Sequence, residues 1–167
     1  SNDGTTLGEF KKFGVSVLGV DPAKNLAVIA QEHGIPTFVE FWNHETAKKV
    51  RAEYGEAHLI NAMNVFAHVD DLDSFVEGVD VVLCDNGIFS IEVPYLLNFL
   101  NKNEFDTTYH EHLSYFLLYP FIPLFGRHDM EIFDVHKSTI HGGSIRVYIK
   151  KKKNNSIKVN KASIQWL

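Results

Sequence analysis

The run Tyr109-His110-Glu111-His112 puts a phenol, two imidazoles and a carboxylate within four residues. Neutral imidazole accepts a proton near working pH, so a histidine here suits a general base. A neighbouring phenol can donate to an oxygen on which negative charge develops. A metal site is the competing reading, because in an extended segment residues two apart share a face and His110 and His112 could meet one ion. Two ligands are too few for such a site, so no metal is assigned. His68 is a second imidazole following an apolar run (57–65). His33, His44, His58, His128 and His136 read as surface or capping residues.

A second constellation lies at the start of the chain. Ser1-Asn2-Asp3-Gly4 reads as a tight loop, and Gly4 lets a cofactor approach the backbone closely. Asp21 ends an apolar run about 20 residues on, where an acidic side chain can accept from ribose hydroxyls. The spacing fits a nucleotide-like cofactor without separating a nicotinamide dinucleotide from S-adenosylmethionine. No further glycine follows Gly4 at fingerprint spacing, which leans away from the nicotinamide. An Asp-Pro pair after a strand is also an ordinary way to begin a helix.

These residues need a scaffold that brings distant segments together. Short apolar runs alternate with helical stretches, the pattern of an α/β domain with a mostly parallel sheet. Strands are expected at 15–20, 36–41, 57–65 and 87–93, and helices at 6–13, 23–33, 45–54, 70–78 and 95–100. Pro22 suits the first turn of the second helix, and Gly34 its C-terminal cap. After 100 the rhythm changes. A helix interrupted by Pro120 and Pro123 is expected over 119–127, then two strands at 131–136 and 144–150 joined through a Gly-Gly turn, an antiparallel pair at the sheet edge. The lysine run 150–153 reads as a solvated strand end or tail. Phe41 and Trp42 end the third-strand region, where an adenine ring can stack; core packing is the alternative.

Composition narrows the classes. The chain of 167 residues is 45% hydrophobic and 13% aromatic, which fits one globular core. A formal charge of −5 does not suggest a nucleic-acid surface. No apolar run of membrane-spanning length, about 18 residues, is present. Cys84, the one cysteine, lies in an apolar stretch and reads as a buried thiol, and a reducing, cytoplasmic compartment is the natural setting.

Six segments in order carry a resemblance: 1–5 (Ser-Asn-Asp-Gly-Thr), 19–23 (Gly-Val-Asp-Pro-Ala), 64–69 (Asn-Val-Phe-Ala-His-Val), 92–95 (Glu-Val-Pro-Tyr), 109–116 (Tyr-His-Glu-His-Leu-Ser-Tyr-Phe) and 141–147 (His-Gly-Gly-Ser-Ile-Arg-Val). Together the chain resembles the S-adenosylmethionine-dependent sugar C-methyltransferases that act on nucleotide-linked keto-deoxysugars. The resemblance implies a class I methyltransferase, Rossmann-like fold with helices on both faces of the sheet. It implies a fragment whose first strand is missing, spanning the methyltransferase core over 1–150 and the start of a C-terminal domain over 151–167. It places a zinc-binding, cysteine-rich domain, and a tyrosine that shapes the substrate site, upstream of the loop.

It also implies roles. His112 corresponds to the base that removes a proton beside a ketone. Glu111 orients a neighbour or binds a sugar hydroxyl, Tyr109 donates to the keto oxygen or positions the sugar, and His68 supports the enolate or the substrate. Asn2, Asp3, Gly4, Asp21, Pro22, Phe41, Trp42 and Asn64 fall to the cofactor, with Asn64 shared with the substrate. The 141–144 turn offers backbone N–H groups to phosphate, with His141 and Gly143 at the substrate, or is a plain turn. Arg146 pairs with an acidic neighbour or with the diphosphate. The expected partner is a small nucleotide sugar. A nicotinamide-dependent oxidoreductase half-fold and a methyltransferase-like binding module without activity remain the alternatives.

Overall fold

The computed structural model describes residues 1–165. Its elements are α1 (Thr5–Lys11), β1 (Gly19–Val20), α2 (Lys24–Glu32), β2 (Thr37–Phe38), α3 (His44–Tyr54), β3 (Ala57–Met63), α4 (Leu72–Val82), β4 (Leu83–Pro94), α5 (Leu96–Lys102), α6 (Phe121–Gly126), β5 (Met130–Ser138), β6 (Ser144–Lys151) and α7 (Lys161–Gln165). Short 3₁₀ turns lie at Phe66–His68, Phe105–Thr107 and Ile140–Gly142. The strands form two sheets: β1 beside β2, parallel, and a four-stranded sheet in the order β3-β4-β6-β5. β3 and β4 are parallel, while β6 runs antiparallel to both β4 and β5. The α/β expectation holds, with the late antiparallel pair at one edge.

The helices start and stop where local chemistry dictates. The Asn43 side chain accepts from the Thr46 amide (2.9 Å) and opens α3; that of Asp71 does the same for Ser74 (2.9 Å) and opens α4. At the end of α2 the Gly34 amide donates to Gln31 O and the Ile35 amide to Ala30 O, a Schellman closure around Gly34 at φ 72°. Pro22 is a correction: it precedes the helix, whose N-cap is Ala23. Pro123 sits in the first turn of α6, where its missing N–H costs nothing. Helix α4 runs past Gly78 to Val82, beyond the expected stop. A Cβ on Gly78 would lie 3.0 Å from Asn43 O and 3.1 Å from Trp42 Nε1, so this glycine permits close packing and does not end the helix.

The strands at 15–20 and 36–41 shrink to two residues each. A strand needs a ladder, and β1 and β2 find only each other among the described residues. Strand β4 begins earlier than expected, at Leu83, and its register against β3 jumps between Ala57 and Leu59 to absorb the extra residues. Side chains alternate across β4 and β6. Phe89, Ile91, Val93, Ile145, Val147 and Ile149 enter the core, where they meet Val76 and Val79 of α4 and Phe121 and Phe125 of α6. Ser90, Glu92, Arg146 and Tyr148 take the other face.

The lysine run is the largest correction. Lys150 is only 3% exposed, and its ammonium donates to Glu131 Oε1 (2.7 Å) and Asn154 O (2.6 Å). Lys151 reaches Asp80 of α4, and Lys153 pairs with Asp85 (2.7 Å). The solvated reading fails for Lys150 and Lys151, whose stems carry their heads to acceptors on β5 and α4, and holds for Lys152 and Lys153, which are exposed. Residues past 150 also pack on the same core. The Asn160 amide donates to Phe133 O (2.7 Å), Ser163 Oγ accepts from the Val135 amide (3.2 Å), and Ile164 lies against the core cluster. These bonds occupy the outer edge of β5, which would otherwise be open to further pairing. The last two residues of the 151–167 segment lie outside the described residues.

Asp73, in the first turn of α4, accepts from Arg127 through both Nε and Nη2 (2.6 Å each) and lies 2.6 Å from His128 Nε2. The Arg127 guanidinium, then His128, lower its pKa to about 2 from 3.8. A folded-state value below the unfolded one means the contribution is present above pH 3.8 and is lost as pH falls toward 2. The group is half exposed, so the pair is worth at most about 1 kcal/mol. Asp73→Asn is expected to lower Tm slightly at pH 6, with the gap to wild type closing by pH 2; a gap that persists there in thermal melts contradicts this.

Candidate active site

Open α/β sheets bind ligands beyond the carboxyl ends of their strands, and Asp21 follows β1 and Asn64 follows β3. In the first loop the Asn2 amide and the Ser1 ammonium donate to Asp21 Oδ2 (2.7 Å each), and the Ala23 amide donates to Oδ1 (3.0 Å). Burial raises the Asp21 pKa, but the Ser1, Ala23 and Asn2 bonds outweigh it and hold the carboxyl below its ordinary value. Two carboxylate oxygens offer about four acceptor positions, and three are used here. One remains on Oδ1 for a ribose hydroxyl. Gly4, at φ 82°, lies where a Cβ would come within 3.0–3.2 Å of Ile35 and Ala30. Asp3 accepts from the Thr5 amide (3.0 Å), which lowers its pKa and ties the loop to α1. Asn2, Asp3, Gly4 and Asp21 thus form one cradle, with Pro22 exposed beside it.

The expected aromatic stackers separate. Trp42 donates from Nε1 to Phe75 O (3.1 Å), and its ring lies 6.2 Å from that of Phe75, so it serves packing. Phe41 is 74% exposed.

The histidine constellation does assemble. Phe66 is buried and anchors the 3₁₀ turn Phe66–His68, which leaves His68 exposed. The Leu113 and Ser114 amides both donate to Ala67 O (2.9 and 3.3 Å), lashing the 109–116 segment to that turn. Phe116 bridges to Tyr95 at the end of β4. The His68 and His112 rings consequently lie 5.1 Å apart. Tyr109 Oη is 2.8 Å from His112 Nε2. Tyr115 closes the other side, its ring 5.9 Å from His112; its type and position in the motif were the only signals for it in the sequence. Glu111 is exposed, and no partner for it is found among the described residues.

Beyond β3, Asn64 adopts φ 52°, its amide donates to Glu92 O (2.9 Å), and its Oδ1 is buried with no hydrogen-bond partner among the described residues. Arg146 takes the first of its two expected options. Its Nε and Nη2 donate to Glu92 Oε2 (3.0 and 2.7 Å), and Tyr148 is a further hydrogen-bond partner. Glu92 is 3% exposed and was not singled out, although an acid inside the apolar stretch 87–93 was the available signal. At the turn after β5, His141 is exposed with φ 51°, the Gly143 amide already donates to Ile140 O (3.0 Å), and the Glu104 carboxylate packs against Gly142.

Residues 1–91 match the family described as Methyltransferase domain. C-methyltransferase NovU of Streptomyces niveus is 40% identical over 148 residues, 89% of this chain and 35% of that protein. The chain therefore spans about a third of its curated relative. Among solved structures, a SAM-dependent methyltransferase from Anabaena variabilis superposes with a TM-score of 0.69 at 18% identity, over 90% of this chain and 74% of that one. The PH0226 protein from Pyrococcus horikoshii OT3 gives 0.70 at 14% identity, over 90% and 78%. These last two show the fold, a class I methyltransferase sheet with its helices. On the match over its first 91 residues, the chain belongs to the methyltransferase domain family.

Proposed function

We propose that the full-length protein is an S-adenosylmethionine-dependent C-methyltransferase that methylates a carbon beside a ketone on a nucleotide-linked deoxysugar. The observation that carries this reading is the meeting of His68, Tyr109 and His112 past the carboxyl end of β3, in a chain that also builds the Gly4–Asp21 cradle past β1. The 40% identity to a C-methyltransferase supports it. The cradle fits an adenosyl group, with Asp21 for a ribose hydroxyl and Gly4 for close approach.

S-adenosylmethionine, when bound, supplies an electrophilic methyl on a sulfonium. The protein's own task is to make a carbon nucleophile. His112 Nε2 accepts the proton from the carbon beside the ketone, and the C–H electron pair moves into the enolate. The Tyr109 hydroxyl, which can donate to Nε2 in the resting site, turns its hydrogen bond to the keto oxygen and so frees that lone pair. His68, its ring tilted against that of His112 at 5.1 Å, supports the enolate oxygen. Glu111 then takes a sugar hydroxyl from the exposed face. Bound S-adenosylmethionine would supply the methyl for the enolate carbon, its sulfur keeping the bonding pair.

The unpaired edges of β1 and β3 support a further strand between the two sheets in the full-length protein. Calorimetric titration of that protein with S-adenosylmethionine and NAD tests the cofactor. Saturable S-adenosylmethionine binding that weakens at least tenfold in Asp21→Ala is expected; binding of NAD alone overturns the reading.

A further inference from the structure

Arg146 invites assignment to the diphosphate, because a guanidinium matches phosphate oxygens. Its surroundings argue otherwise. Glu92 and Arg146 are direct partners across the β4–β6 ladder, so the ion pair is built into the sheet register. Both bonds go to one oxygen of a carboxylate that is 3% exposed. Burial works against the guanidinium's charge, but Glu92 and Tyr148 more than offset it and raise its pKa. The charge is thus compensated before any ligand arrives. At the same end of β6 the Glu104 carboxylate packs against Gly142 and lies 3.7 Å from Lys102 Nζ, which also donates to Gly142 O. A diphosphate there would meet cations that already have carboxylate partners.

We propose that Glu92 is a positioning residue that turns Arg146 into a fixed, charge-neutral donor for an uncharged sugar oxygen, a hydroxyl or ketone, with the diphosphate read elsewhere. This rests on the nucleotide-sugar reading of the site. Two bonds to Glu92 hold the plane of the guanidinium, Tyr148 engages it as well, and the side chain is still 39% exposed to a ligand. The Asn64 amide is tied to the main-chain carbonyl of the same Glu92, so one residue sets both a donor and its neighbour at the end of β4.

The test uses the full-length protein with four probes: thymidine and uridine diphosphates, and their glucose conjugates. The difference in affinity between a conjugate and its free diphosphate isolates the sugar contacts. Removing Arg146 alone would strand a buried carboxylate, so the main variant is Glu92→Gln with Arg146→Gln. It is expected to bind the free diphosphates within twofold of wild type and to lose about tenfold or more of the conjugate's advantage. Arg146→Lys keeps the charge paired but loses the fork, and is expected to lose that advantage too. A tenfold loss toward the free diphosphates, or an unchanged advantage, overturns the proposal. Wild type that binds S-adenosylmethionine but none of the four probes overturns the nucleotide-sugar reading and this one with it.

Discussion

Replacing His112 by alanine is expected to lower methyl transfer by about 10²–10⁴-fold, the usual contribution of a placed general base. Affinity for S-adenosylmethionine is expected to stay within twofold. The two effects separate because the groups belong to different parts of the fold. His112 rides on a segment held by the Ala67 carbonyl, whereas the cofactor cradle hangs on Asp21 and Gly4. Tyr109→Phe keeps the ring beside His112 and removes only the hydroxyl 2.8 Å from Nε2. It should therefore slow turnover less than the alanine variant. Single-turnover rates and calorimetry on the full-length enzyme check both. Unchanged turnover in His112→Ala would remove the base from this position.

The largest expected loss of stability follows from Phe66→Ala. Phe66 is fully buried, and its ring lies within 5.2–6.5 Å of those of Phe75, Phe116, Phe121 and Phe125. Truncating such a side chain costs about 3–5 kcal/mol through lost burial and the cavity left behind. At roughly 2–4 °C per kcal/mol for a domain of this size, Tm should fall by roughly 6–20 °C. Phe41→Ala, at a ring 74% exposed, should stay within about 0.5 kcal/mol. Phe66 also carries the turn whose Ala67 carbonyl anchors the His112 segment, so a milder Phe66→Leu should lower kcat more than its small Tm shift suggests. Equal melts for Phe66→Ala and Phe41→Ala would show that the aromatic cluster is not the centre of the core.

Much of this arrangement was readable without coordinates wherever the deciding interactions are local. Helix α2 ends at Gly34 because only a residue tolerant of φ 72° closes it. The β5–β6 pair and the α/β class follow from periodicity. Local rules failed where a distant partner decides. The strands at 15–20 and 36–41 were cut short by the ladders available to them, not by their β-branched residues. Gly78 reads as a stop until Asn43 and Trp42 are seen against it. Lys150 and Lys151 read as solvent-facing until Glu131 and Asp80 come to meet them.

The candidate site divides the same way. The residue types at 109–112, the Gly4 loop and Asp21 were set by sequence, because proton transfer and hydrogen bonding to ribose need particular groups. Which of those groups meet is a matter of long-range hydrogen bonds. Ala67 O brings His112 to His68, Phe75 O binds the Trp42 indole N–H, and Glu92 claims Arg146 across a ladder. Sequence by itself determined the chemistry available to this protein and its helix ends, since both reside in single side chains and their near neighbours. The tertiary structure decided which residues share the site and which charges are already neutralised, because contacts between residues 33 to 54 apart have no signature in local pattern.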